Sequence, residues 1–569
     1  MKKYLSAILA AVLLCSTTAC SPSAKSKTVS VDELSSYTIV YLQSYKEWQM
    51  TEVELLRDTI EHITGTRINA VPDSEPEAKH EIIFASSNRK TSYDNTVDAF
   101  ASRMDYIIAV DGDDIVIGGQ NYYSDMRAAY DFINNYIGYD DIEDEYSEPQ
   151  KQITGLNTTI WKKPELYLMG SNLSCGPFSE VWHVKDFADC NFNLLQISQQ
   201  MYTDTGVRDV ATWCARFGIE LFYYPATDRE SKQVIIPCEE DLIENPAVWG
   251  LYIVDEPSST EQNIFWSTVA ANAKERFDKY GWTIYVNTAL NSYDLNYDEG
   301  WNADAVGAWK KYYSNLSVFS FDAYPYQNKF DVRERYTCMT WEHAANLAKE
   351  LGQDLFIYID SYNLANRGYC DKMFRTHAYF SLCFGADGIE YFQYGDASPY
   401  YDREGDWTKG SLINYDFSKN EYYYDAQKVN GELKKLMPIY GQYENVGVYV
   451  INPKEGDNMV CLNDPCDDFG VIEDVNDELN LMTFGDTSTL LVGCFEKKEG
   501  DGKAFILMNF DPLTEIGYGT ELILPTKLKI NGEKVTCYRG GEPTVLEPDE
   551  DGYYSFRIPN GECLFVTVD

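Results

Sequence analysis

The chain has 569 residues, 90 of them acidic and 47 basic, for a formal net charge of −43 at pH 7. A surface this acidic repels nucleic acid and anionic lipid, so neither is expected as a partner, and neutral or cationic ligands remain. The apolar share of 44% suffices for packed cores, and the length calls for about two to four domains.

Residues 1–20 read as a targeting segment. Met1-Lys2-Lys3 supplies the positive end, and the apolar run from Tyr4 to Leu14 is too short to span a membrane. Thr17-Thr18-Ala19-Cys20 follows and resembles a bacterial lipoprotein signal. That resemblance implies lipidation of Cys20 and attachment to a membrane through this lipid alone, with ordinary secretion as the alternative. A Ser/Lys-bearing linker occupies residues 21–36.

Residues 37–155 predict a small α+β domain. Tyr37–Leu42, His80–Ala85, Tyr106–Val110 and Asp114–Gly118 are strand-like runs, and Asp111-Gly112-Asp113 is a hairpin signal. Helical patterns cover Trp48–Ile63 and Asp125–Ile137. The acidic run Asp140–Glu148 reads as a solvated separator.

Residues 160–440 alternate strand and helix. Strands are expected at Leu166–Gly170, Phe192–Ser198, Ile219–Tyr224, Leu251–Val254, Thr283–Asn287, Val318–Asp322, Leu355–Ile359 and Gly388–Tyr394. Helical patterns fall at Asp209–Arg216, Thr260–Lys279, Arg333–Leu351 and Asp371–Phe384. Gly218, Gly281, Gly352 and Gly385 stand where helices stop. Eight alternating strands predict an α/β fold, a (β/α)8 TIM barrel. An open doubly wound sheet is the rival, but no Gly-x-Gly-x-x-Gly follows the first strand. Residues 445–569 turn to short strands between turn dipeptides such as Asn531-Gly532, which predicts a β-sandwich.

Side-chain alternation assigns the barrel interior. In the fourth strand Glu256 shares parity with Tyr252 and Val254, just before Pro257 ends the strand. The same reading turns Gln196, Asn287, Ser320, Asp322, Tyr358, Asp360, Glu390 and Tyr394 inward. Carboxylates converging on the carboxyl-end mouth of a barrel point to glycoside hydrolysis, in which one acid protonates the leaving oxygen and another attacks or activates water. Glu256 is the candidate acid/base; Asp360, Asp322 and Glu390 compete to be its partner. Asp255 reads as a structural or helix-capping neighbour. Asn172, Gln196, Asn287 and Tyr394 are candidate substrate-binding groups, and Tyr324, Tyr326 and Trp407 candidate sugar platforms in loops. None of the five histidines lies at the carboxyl end of a barrel strand, and there is no His-x-x-x-His and no Cys-x-x-Cys. Neither a metal nor a cofactor is therefore expected. Cys461 and Cys466 are spaced for a local disulfide, while several other cysteines read as buried hydrophobes.

Gly250-Leu251-Tyr252-Ile253-Val254-Asp255-Glu256-Pro257, Phe321-Asp322-Ala323-Tyr324-Pro325-Tyr326 and Gly385-Ala386-Asp387-Gly388-Ile389-Glu390-Tyr391-Phe392 resemble the fourth, sixth and eighth strands of a (β/α)8 glycoside hydrolase clan. Members of that clan carry the acid/base Glu at the end of strand four, here in an Asp-Glu-Pro variant. Residues 37–150 resemble the domain preceding the barrel in α-glucuronidases and hexosaminidases. The resemblance implies a retaining glycosidase with Glu256 as acid/base and a carbohydrate substrate. It also implies a nucleophilic Glu at the end of strand seven, where this chain has Asp360. A catalytically silent, glycan-binding surface lipoprotein on the same fold is the alternative.

Overall fold

The chain divides into two units between Trp161 and Lys162. The computed structural model describes residues 29–153, 155–172, 178–198, 204–289, 303–322, 335–361, 370–395, 411–414, 417–452, 469–510, 523–559 and 561–569.

The first unit is built on a six-stranded sheet. Its order is Asn69–Pro72, Thr38–Tyr41, Glu81–Phe84, Asp114–Gly118, Tyr106–Asp111 and Leu156–Thr159, with the first four strands parallel. Ile39, Ile82 and Ile115 form part of a core covered by the helix Met50–Thr64. The acidic run folds back as a two-residue hairpin, Tyr139–Asp140 against Glu145–Tyr146. After it the chain returns to the sheet with Leu156–Thr159. Asp125 is buried beneath the strand ends and accepts hydrogen bonds from Tyr45 Oη (2.6 Å) and the backbone N–H of Gly119 (3.1 Å) and Ser86 (3.3 Å). Burial pushes its pKa up to about 7.

The second unit holds the expected barrel. Its strands are β1 (Tyr167–Asn172), β2 (Leu194–Ser198), β3 (Glu220–Tyr224), β4 (Val248–Val254), β5 (Thr283–Ala289), β6 (Val318–Asp322), β7 (Asp354–Asp360) and β8 (Gly388–Phe392). They close in sequence order with β8 pairing to β1, all parallel. Gly218, Gly281, Gly352 and Gly385 take left-handed φ of 72°, 75°, 64° and 84° at helix ends, as their sequence positions predict. Ser259 caps the helix α1 (Thr260–Phe277), its Oγ accepting from Gln262 N–H at 3.1 Å.

The barrel interior is aromatic: Phe222, Trp249, Tyr252, Tyr285, Phe356 and Tyr358 pack with Tyr167, Met169, Leu194 and Val318. Tyr167 stacks on Trp249 with centroids 4.3 Å apart, at the amino ends of the strands. That end is filled, so open polar chemistry is confined to the carboxyl ends. Gly250 is required where β4 crosses β5, because a Cβ there would meet the Thr283 carbonyl oxygen at 1.9 Å.

The C-terminal part is two facing antiparallel sheets, as expected. One has the order Tyr443–Ile451, Leu490–Lys497, Lys503–Asn509, Cys563–Val568, Val535–Arg539 and Glu542–Leu546; the other is Ile472–Asn476, Pro525–Ile530 and Tyr553–Arg557. The strand Pro525–Ile530 opens on its proline, a first-residue position that proline tolerates. Residues from both sheets share one core, including Val492, Leu507, Leu528 and Phe556.

Helix α2 (Asp371–Cys383) lies buried between the barrel and this sandwich. Gly493 lets the sheet close on it, since a Cβ there would come within 2.7 Å of Cys383 Cα. Arg375 on α2 forks onto Glu432 of the helix α3 (Glu421–Tyr440) with bonds of 2.7 and 2.8 Å, and lies 3.6 Å from Glu562 of the sandwich. Its side chain is only 5% exposed. Removing one partner of a buried pair leaves the others uncompensated. Arg375→Ala should therefore lower the unfolding free energy by about 3 kcal/mol, measured as a shift in the denaturant midpoint. A midpoint unchanged from wild type would refute this role.

Candidate functional site

Glu256 reaches the mouth by a route that strand alternation does not predict. Tyr252 pairs with Tyr285, but Val254 pairs with Val286, so β4 carries one extra residue against β5. Such a bulge reverses the alternation beyond it. Val254 follows the outward-facing Val286, and Asp255 takes the inward place beside Asn287. Glu256 then adopts a left-handed φ of 45° and donates its backbone N–H to the Asn287 carbonyl at 3.1 Å. A non-glycine residue in this region is uncommon and costs about 1–3 kcal/mol, a strain that functional sites tolerate. The parity argument for Glu256 is thus corrected, although its carboxyl still joins the mouth. Asp255 is corrected too: Ser259 caps α1, and Asp255 belongs to the acid cluster.

The cluster is held by hydrogen bonds. Asp255 Oδ1 accepts from Tyr252 Oη (2.8 Å) and Asn287 Nδ2 (2.9 Å). Asn287 Nδ2 also reaches Asp322 Oδ1 at 3.3 Å. The Asp322 carboxyl lies against that of Glu256. Burial holds the Asp322 pKa well above the carboxylate range, and the neighbouring Glu256 and Asp255 push the same way, against the Asn287 hydrogen bond. Asp255 as a residue stays open to solvent, but its carboxyl is inserted beside Tyr252 and Asn287. This local burial raises its pKa, with the Glu256 charge adding to it.

Glu390 lies deeper. It is fully buried, accepts a hydrogen bond from Tyr285 Oη and lies 3.0 Å from Ser320 Oγ. Burial pushes its pKa up to about 8. Ser320 Oγ also donates to Asn287 Oδ1 at 2.9 Å. Tyr358 Oη donates to Gln196 Oε1 at 3.2 Å, and Gln196 is likewise fully buried.

Asp360 is fully buried at the end of β7, on the inward parity of Phe356 and Tyr358. Asn287 is inward, but one N–H serves each acid and its oxygen accepts from Ser320, so it positions acids and has no donor to spare for a ligand. Tyr394 is corrected as a sugar contact. β8 ends at Phe392, alternation lapses there, and the Tyr394 ring packs on Phe187 (4.9 Å) and Phe192 (5.7 Å). Asn172 closes β1, in register with Ile197; its side chain lies outside the described residues, as do Cys20, Tyr324, Tyr326, Trp407, Cys461 and Cys466. His183 caps its own helix, Nδ1 accepting from Ser179 N–H at 3.1 Å, and stacks on Phe417. Burial lowers its pKa to about 4. His377 is buried in α2. Among the described residues no group of three His, Cys, Asp or Glu is placed to hold a metal ion.

Sequence reasoning missed Asp255 and Ser320 as site residues. The available signal was the acid doublet itself, since two adjacent acids at a strand end place one on each face whatever the register.

No protein-family model matches the chain, and no curated protein is similar to it in sequence. Solved structures similar to it include a family 39 glycoside hydrolase from the gut symbiont Bacteroides cellulosilyticus WH2, at 9% identity and a TM-score of 0.42, covering 82% of this chain and 94% of that one. A glucosidase from Croceicoccus marinus is similar at 10% identity and a TM-score of 0.35, covering 72% and 96%. Xylanase 10B from Thermotoga maritima is similar at 12% identity and a TM-score of 0.32, covering 48% and 96%. At these scores the likenesses carry no argument about chemistry, and the barrel assignment rests on its own strand order.

Between about pH 4.5 and 8 the folded chain keeps a proton on Glu390 that the unfolded chain has released. The contribution of Glu390 to stability is therefore full below that window and declines as pH rises through it. The melting temperature of Glu390→Gln relative to wild type should accordingly rise between about pH 5 and pH 8.5. A difference independent of pH would contradict a neutral Glu390.

Proposed function

We propose that the protein is an exported glycoside hydrolase that cleaves O-glycosidic bonds of a glycan, with Glu256 as general acid/base. The observation that carries this reading is the contact between the Glu256 and Asp322 carboxyls at the carboxyl-end mouth of the barrel. Two like charges in contact cannot both ionise cheaply, and burial together with the neighbouring Glu256 holds the Asp322 carboxyl well above the usual carboxylate range. Asp322 is buried, while Glu256 is open to solvent. On binding, the proton held on Asp322 passes through Glu256 to the glycosidic oxygen as the bond to the anomeric carbon breaks. Both carboxyls are then ionised until water restores the proton. The second carboxylate, which attacks the anomeric carbon or activates water, is assigned to Asp360, inward-facing at the end of β7.

Glu256→Gln keeps the shape and loses the proton. Against a panel of aryl glycosides and glycans it should lose about 10²–10⁴-fold in kcat while glycan binding by calorimetry persists. Unchanged turnover would remove Glu256 from the chemistry.

One observation favours the silent, glycan-binding reading. Glu256 and Asp322 are in hydrogen-bond contact, closer than the about 5–5.5 Å or 6.5–9.5 Å that separates catalytic carboxylates. If Asp360 does not complete the site, wild-type protein will bind glycans from the same panel and release no product.

Export through a lipid anchor is proposed on the leader and Cys20. In cells fed labelled palmitate, the full-length chain should take up label and fractionate with membranes. Cys20→Ala should do neither, and labelling that survives the substitution would refute anchoring at Cys20.

A further inference from the structure

The hydrogen bonds beneath the acid cluster have a direction, and counting donors reveals it. Asn287 spends both its N–H groups on Asp255 and Asp322, and its oxygen needs a donor. That donor is Ser320 Oγ, 2.9 Å away. Ser320 has a single hydroxyl proton, and its oxygen also lies 3.0 Å from Glu390 Oε1, while Tyr285 Oη reaches both Ser320 Oγ and Glu390 Oε1 and has one proton to give. The serine proton cannot serve both acceptors. If Glu390 carries a proton and donates it to Ser320 Oγ, the serine proton is free for Asn287, and every group in the line is satisfied. If Glu390 is ionised, it draws the serine proton to itself, and the Asn287 oxygen loses its partner.

We propose that Glu390, Ser320 and Asn287 form a one-way hydrogen-bond chain in which a proton on Glu390 turns the Ser320 hydroxyl to Asn287, holding both Asn287 N–H groups on Asp255 and Asp322. Glu390 and Ser320 are thus positioning residues for the acid cluster. The proposal rests on the glycosidase reading only for its kinetic readout. The titratable groups facing Glu390 are Tyr285 from β5, Tyr358 from β7 and, from β4 and its end, Tyr252 and Asp255. Burial holds all three tyrosines neutral, their pKa values well above normal. Ionisation of the acids is therefore the charge change this chain can feel. Asn287 favours the ionised forms of Asp255 and Asp322, so loosening it should raise both carboxyl pKa values.

The test compares Ser320→Ala, Glu390→Gln and Glu390→Leu in the full chain, each checked for folding by thermal melting. Gln still donates an N–H toward Ser320, whereas Leu does not. Ser320→Ala and Glu390→Leu should lower kcat about 10- to 100-fold with KM within about threefold, and move the acid limb of the kcat profile up by about one pH unit. Glu390→Gln should recover most of the turnover that Glu390→Leu loses. A profile unmoved in folded Ser320→Ala, or a Gln variant no better than Leu, would overturn the chain. Carboxyl infrared bands titrated against pH provide a readout independent of turnover, in which Ser320→Ala should shift the cluster upward by a similar amount. If wild-type protein turns over nothing on the glycan panel, the glycosidase reading fails, while the infrared titration still decides the chain.

Discussion

The second unit depends on the cost of placing several carboxyl groups in one mouth. At an effective dielectric near 20, two unit charges about 4 Å apart repel by about 4 kcal/mol. Asp255, Glu256 and Asp322 cannot all be ionised at that spacing without relief. The fold relieves them in two ways: Asn287 donates to two of the three, and burial raises the Asp322 pKa so that this carboxyl holds its proton. Everything around the mouth is arranged to hold that compromise. The tyrosines beneath it supply hydroxyls without bringing charge, and an aromatic stack packs the opposite end of the barrel.

The bulge in β4 is what makes the compromise possible. A regular strand would carry Tyr252, Val254 and Glu256 on one face, leaving Asp255 among the helices with an unpaired charge. One extra residue lets Asp255 drop inward beside Asn287, and the left-handed turn at Glu256 brings the second acid round to Asp322. The strain at Glu256 is local and is offset by its backbone bond to Asn287. Asn287 therefore touches the cluster three times: its amide holds Asp255 and Asp322, and its carbonyl fixes the residue that bears the exposed acid.

The barrel was legible because its signals are redundant. Apolar runs, helix-terminal glycines and strand spacing each place the same eight strands, and the observed ends differ from the expected ones by no more than three residues, as at Val248. The inward sets Tyr285/Asn287, Ser320/Asp322 and Tyr358 followed from simple alternation, because β5, β6 and β7 are regular where they carry them. Alternation failed at two places, and both are irregular. A bulge is set by the pairing of two strands, which one strand's residues do not encode, and so Asp255 was misplaced. Tyr394 was misplaced because β8 stops two residues before it. Register errors of this kind fall where strands end, which in a barrel is where the chemistry is.

Depth sorts the acids into roles. Asp255 and Glu256 remain open to solvent, Asp322 is buried but paired, and Glu390 is enclosed by hydroxyl groups with burial pushing its pKa to about 8. An enclosed neutral acid is a poor nucleophile, since it lacks the charge. It is a good donor, because it can polarise the groups above it without adding to the repulsion among them. Replacing it by an ionised group would place another negative charge beneath the cluster and undo the relief that Asn287 provides. A purely apolar residue there would remove the donor that Glu390 presents to Ser320 and leave only the Tyr285 hydroxyl beside it. Among the acids of the barrel, Glu390 is thus the one whose value to the site depends on its staying uncharged.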